Sequence, residues 1–184
     1  MGWTYSNKGS LNTKEFFEKE FNHNNSETGI SGKVLACSTS NGVSYIAYEY
    51  ITPNERKVSA IVCLLHRESN NPHGCNFGYK DITEDMGPVE NKCPEKVLKL
   101  LTPTDNRLAN SWRQSCWNRV NRLKSMPKVK TGNTVKFNEP IHFKSGKVLD
   151  TFQYIKGSTF SNGPYSSLYR ISNWKERLYQ VVKP

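Results

Sequence analysis

Apolar positions in the first 126 residues follow one period, then another, then the first again. Phe16, Phe17 and Phe21 recur at helical spacing behind Asn12-Thr-Lys-Glu15, which has the capping-box layout, so a helix is predicted from Asn12 to about Phe21. Asn22 to Gly32, rich in Asn, Ser and Gly, reads as a loop. A β-rich pattern takes over at Val34 to Ser40, turns at Asn41-Gly42, the strongest short hairpin signal, and returns through Val43 to Ile51. Thr52 to Arg56 is a turn, Val58 to Leu65 a buried strand, His66 to Gly74 a polar loop, and Asn76 to Lys80 an edge strand. The helical period resumes at Pro94, which suits a first helical turn, and predicts a short helix over Glu95 to Leu101. Thr104 or Asp105 then caps the longest helix, Asn106 to about Lys124, with Leu108, Trp112, Cys116, Val120 and Leu123 on its buried stripe. Arg113, Trp117 and Lys124 fall together on another side of it.

Beyond Met126-Pro127 and a linker over Lys128 to Gly132 the pattern shortens. Thr134 to Phe137, Ile141 to Phe143, Val148 to Ile155, Tyr165 to Ile171 and Leu178 to Val182 are brief β-like runs separated by Gly, Pro and Asn turns. Strands this short and this closely spaced predict a small SH3-like β-barrel. The expected architecture is therefore α+β: an antiparallel sheet with packed helices over residues 1–126, followed by the barrel over 127–184.

Composition adds one strong fact to this picture, the charge. The chain has 26 Lys and Arg against 16 Asp and Glu, a net +10. Divided after Thr102, the first part nets −1 and the second +11. A basic segment of this kind points to a polyanionic partner, nucleic acid before membrane. No apolar run approaches the roughly 18–20 residues of a membrane span, and the start lacks the layout of a signal peptide, so a cytoplasmic location is expected. The five cysteines are odd in number and form no C-x-x-C pair, which is the usage of free, reduced thiols.

Three sets of residues could carry function. The first is a basic and aromatic surface: Arg113, Trp117, Arg122 and Lys124 on the long helix, Lys128 and Lys130 in the linker, and Arg170, Lys175 and Arg177 from the barrel, with Tyr169 and Trp174 interleaved. Cations neutralise phosphates and rings stack unpaired bases; the competing reading makes Trp117 and Trp174 packing residues and the cations merely solvated. The second is Asp81, Glu84 and Asp85, which could gather Mg²⁺ for hydrolysis of nucleic acid, or else form a turn into a short helix. The third, His66, His73, Cys75 and Cys93, has zinc-ligand types at a spacing that fits no structural zinc pattern. Cys93, just before Pro94, would sit near a helix N-terminus, which lowers a thiol pKa and is the one argument for its reactivity, while packing is the favoured reading. No cofactor motif is present, and no cofactor is expected.

Met1-Gly-Trp-Thr-Tyr5, Glu15-Phe-Phe-Glu18, Phe77-Gly-Tyr-Lys-Asp81, Met86-Gly-Pro88, Cys93-Pro94, Leu100-Leu-Thr-Pro-Thr-Asp105, Trp112-Arg113, Leu168-Tyr-Arg-Ile171 and Asn173-Trp174 resemble an uncharacterised family of phage, plasmid and other mobile-element genomes. The resemblance implies a mobile-element setting and no particular chemistry. Proteins of this size from such elements often act on nucleic acid or against host defence. The expectation is a non-enzymatic protein that engages nucleic acid, or a nucleic-acid-bound protein complex, through its basic C-terminal half. Inhibition of an RNA-guided CRISPR nuclease is one role that fits this setting. The alternatives are a metal-dependent hydrolase built on Asp81, Glu84 and Asp85, and a peptide-binding interaction module.

Overall fold

In the computed structural model, residues 2–66, 77–163 and 167–182 are described. The chain divides into two units, Met1–Val120 and Asn121–Pro184.

The first unit is an antiparallel sheet of six strands, curled into a half-barrel. In spatial order they are β1 (Thr4–Ser6), β6 (Phe77–Thr83), β5 (Arg56–His66), β4 (Val43–Ile51), β3 (Ile30–Ser40) and β2 (His23–Asn25). Side chains alternate between its faces. Ile46, Ile61 and Cys63 meet Phe16 and Phe17 of α1 (Thr13–Phe21) on one side. Tyr45, Ala47, Ala60 and Val62 meet α2 (Glu95–Leu98) and α3 (Arg107–Ser125) on the other. Both faces are covered, which is why the centre of β4 and β5 reads as a nearly unbroken apolar run.

Local signals hold where the predicted contacts are short-range. The Asn12 side chain accepts the Glu15 N–H at 3.0 Å, and the Glu15 carboxylate accepts the Asn12 N–H at 2.8 Å. Asn41 and Gly42 both take positive φ, 49° and 76°, as a two-residue turn of the tight hairpin type requires. Three details differ from the expected pattern. His23–Asn25 is a short edge strand within the predicted loop, paired with Ile30–Gly32. Asn25 turns that hairpin by accepting the N–H groups of Glu27 and Thr28. The cap of α3 is Asn106, whose side chain accepts the Ala109 N–H at 2.9 Å, so neither Thr104 nor Asp105 fills that position. Leu108 is 47% exposed, and the stripe runs Ala109, Trp112, Cys116, Val120.

The second unit holds β7 (Thr134–His142), β8 (Val148–Lys156), β9 (Thr159–Ser161), β10 (Leu168–Arg170) and β11 (Tyr179–Val182). Their order is β10-β9-β8-β7-β11, so the last strand returns to pair with the first, after a 3-10 turn at Trp174–Glu176. This is the SH3-like arrangement. The two runs predicted at 134–137 and 141–143 belong to one bent strand, β7, whose register shifts between Lys136 and Ile141. Pro140, which has no N–H to offer the ladder, lies in that shift. Phe137, Phe152, Phe160 and Trp174 anchor the core.

The division between the units falls inside α3, after Val120, six residues before the expected boundary at 126. The reason is Arg122, which donates to the Glu176 carbonyl at 3.1 Å and to its carboxylate at 3.0 Å, and Met126, which packs against the barrel core. Among the described residues no helix is long and apolar enough to cross a membrane.

Candidate nucleic-acid interface

The second unit holds twelve Lys and Arg against three Asp and Glu, so +9 of the chain's +10 lies on its 64 residues. Its three carboxylates all stand near cations. Glu176 binds Arg122, Asp150 lies 3.8 Å from Lys136, and Glu139 lines a cavity of about 270 Å³ beside Arg177.

The turn between β8 and β9, Lys156-Gly157-Ser158, is where cations from several segments meet. Thr131 Oγ1 donates to the Ile155 carbonyl at 2.8 Å. Trp174 Nε1 donates to the Gly157 carbonyl at 2.8 Å, and the Ile171 N–H to the Ser158 carbonyl at 2.9 Å. Each of these three segments carries a cation next to its bond: Lys130, Lys175 and Arg170. Lys156 pairs across the ladder with Thr159, and Thr159 with Arg170, which puts both cations on one face. Two strand spacings separate them, about 10 Å. Lys128, Lys130, Lys156 and Arg170 are exposed and make no ion pair among the described residues. Gly157 takes φ 57° and Ser158 does not, which suits a two-residue hairpin turn with glycine first. The N–H groups of both donate no hydrogen bond among the described residues, so the tip presents backbone donors beside its cations.

This rim draws on Lys130, Arg170 and Lys175 from the expected surface; Lys128 is exposed in the linker, and the rest lie elsewhere. Arg113 is taken up inside the first unit. Its Nε and Nη2 grip both oxygens of Glu84 at 2.7 and 2.6 Å, and Nη1 donates to the Thr102 carbonyl at 2.6 Å. Trp117 is half-buried against the first unit's core. Trp174 is 4% exposed, its indole inside the barrel and Lys175 Nζ 5.6 Å from the ring centre. Tyr169 packs against Phe143 and Phe152. Lys124 is exposed near the end of α3, and Arg177 is exposed at the cavity mouth. Lys156 is the residue the sequence reading missed. Its signal was a lysine directly before Gly157-Ser158, between two β-like runs in a basic segment.

Residues 103–174 match the model of a family described as a domain of unknown function, DUF6927. The DUF6927 match runs from just before the cap of α3 to Trp174, and so includes Lys128, Lys130, Lys156 and Arg170. No curated protein and no solved structure matches the chain.

The acidic and thiol candidates lie outside the DUF6927 match, and those among the described residues do not assemble. Glu84 is buried on Arg113, whereas Asp81 and Asp85 are exposed, and Asp85 accepts the Thr83 hydroxyl. Both Glu84 oxygens are therefore committed, and among the described residues no three His, Cys, Asp or Glu side chains are grouped to hold a metal. His73 and Cys75 lie outside the described residues; His66 sits at the end of β5, edge-on to Trp3 at 5.6 Å. Cys93 is fully buried, and burial pushes its thiol pKa up. The lowering expected from a helix N-terminus does not occur, because α2 is only four residues long and desolvation dominates.

Proposed function

We propose that the second unit is a non-catalytic module that binds the phosphate backbone of nucleic acid through Lys130, Lys156, Arg170 and Lys175. The observation that carries this reading is the β8–β9 turn itself, which bears Lys156 and to which hydrogen bonds tie three further segments, each carrying an exposed cation beside its bond. Such contacts release condensed counterions, and affinity then falls linearly with salt on logarithmic axes. The mobile-element setting implied by the resemblance makes the biological partner a nucleic acid or a nucleic-acid-bound machine such as an RNA-guided nuclease.

The test is a fluorescence-anisotropy titration of the whole chain against labelled DNA and RNA over a range of salt. The expected outcome is binding that weakens steeply as salt rises, with Lys156→Ala and Arg170→Ala each lowering the salt slope by about 1 and affecting all sequences alike. Absence of binding to DNA and RNA at low ionic strength would overturn the reading. Salt-insensitive capture of a protein target would replace it with a protein-inhibitor role.

A further inference from the structure

Every described aromatic ring of the second unit is buried in the barrel core or packed against it, the Trp174 indole included. Modules that hold unpaired strands combine a cationic groove with aromatic faces on which bases stack. Among the described residues the rim has the cations without such faces. Its donors, the ends of Lys130, Lys156, Arg170 and Lys175 with the free amides of Gly157 and Ser158, suit phosphate oxygens. We infer that the rim takes double-stranded nucleic acid and grips it by phosphates alone. This deepens the proposed function and rests on it.

Two features favour the duplex. Hydrogen bonds from three segments hold the rim's backbone in place, so the attachment points of its cations are fixed relative to one another and do not form a surface that wraps a flexible strand. A duplex carries a charge every 1.7 Å or so of its axis, against about 3.4 Å along one strand, and offers such fixed points more phosphates within reach. The release of counterions per contact is also larger on the duplex, with a slope of about −0.9 per phosphate against about −0.7 on a single strand.

The experiment compares a duplex with each of its separated strands at equal length, using the whole chain and labelled DNA, then RNA. The duplex should bind more tightly than either strand. Its salt slope should be near −3.6 if all four cations engage, about −2.8 being the single-strand figure. Permuting the duplex sequence should leave affinity unchanged. Lys156→Ala and Lys175→Ala, both at exposed positions, should each reduce the duplex slope by about 0.9 while circular dichroism stays that of the parent. A strand that binds as tightly as the duplex, or affinity that follows sequence, overturns the inference and leaves nucleic-acid binding standing. Failure to bind either form at low salt strikes the proposed function itself.

Discussion

Arg113 has three of its donors engaged, two on Glu84 and one on Thr102, with side-chain exposures of 13% for the arginine and 4% for the carboxylate. Removing one partner of a buried pair strands the other charge, which costs about 3–5 kcal/mol. Arg113→Ala should therefore lower the unfolding free energy of the first unit, read from urea titration, by that amount and leave nucleic-acid affinity as it was. Arg113→Lys should rescue only part, since an ammonium cannot span both carboxylate oxygens. The buried thiols make a second residue-scale prediction. Burial pushes Cys116 from 9.0 up to about 11, and Tyr79 from 10.0 up to about 12. The unfolded chain releases those protons first, so the contribution of these groups to stability is constant below about pH 9 and falls as pH rises from there toward 11. Urea midpoints taken at pH 7, 9 and 10.5 check the sign. The burial of Cys116 was legible from the helical stripe, but the pairing of Arg113 was not. Helical periodicity put Arg113 on a solvent-facing side, and nothing local marks a partner 29 residues away. For Cys93 the packing reading holds, and the helix start that argued for a reactive thiol is outweighed by burial.

At the scale of elements, short-range chemistry was legible and edges were not. The Asn12–Glu15 cap and the Asn41-Gly42 turn depend on neighbours in sequence and appear as expected. Asn12→Ala should cost about 1 kcal/mol by chemical denaturation. Strand β2, three exposed residues in a polar stretch, has no periodicity to read and exists because β3 offers it an edge. Gly32 in β3 shows how tight that edge is. A Cβ there would fall 1.7 Å from the Tyr48 hydroxyl and 2.5 Å from His23 Cε1. Tyr48 donates to the Phe21 carbonyl at 3.1 Å and touches His23 Nδ1 at 3.1 Å, so it cannot withdraw without breaking the link between α1 and the sheet. Gly32→Ala should destabilise the first unit by about 1–3 kcal/mol, the usual cost of overpacking. The loss should be visible as lower amide protection in β2 and at the end of α1. The barrel was legible from its turn spacing, whereas the bent β7 was read as two runs because Pro140 looks like a terminator in one dimension.

Over the whole chain the charge is more unequal than a split at residue 102 suggests. The first unit nets +1 and the second +9. The asymmetry was visible in composition, but the boundary was not, because α3 continues through it without a change in helical pattern. The convergence on the β8–β9 turn was also hidden. It depends on hydrogen bonds from Thr131, Ile171 and Trp174 to residues 13 to 24 positions away, and only the fold brings those segments together. Hydrogen exchange on the intact chain with saturating duplex should show added protection at residues 130–133, 155–159 and 170–175. Protection gained in β4 and β5 of the first unit instead would move the contact surface there.

The bond from the Trp174 indole to the Gly157 carbonyl couples a chromophore to the tip of the cationic turn. The other three tryptophans, Trp3, Trp112 and Trp117, all belong to the first unit. Replacing those three with phenylalanine would leave a single emitter whose spectrum reports the turn's surroundings. Occupancy by an oligonucleotide could then be followed by intrinsic emission, without any attached dye.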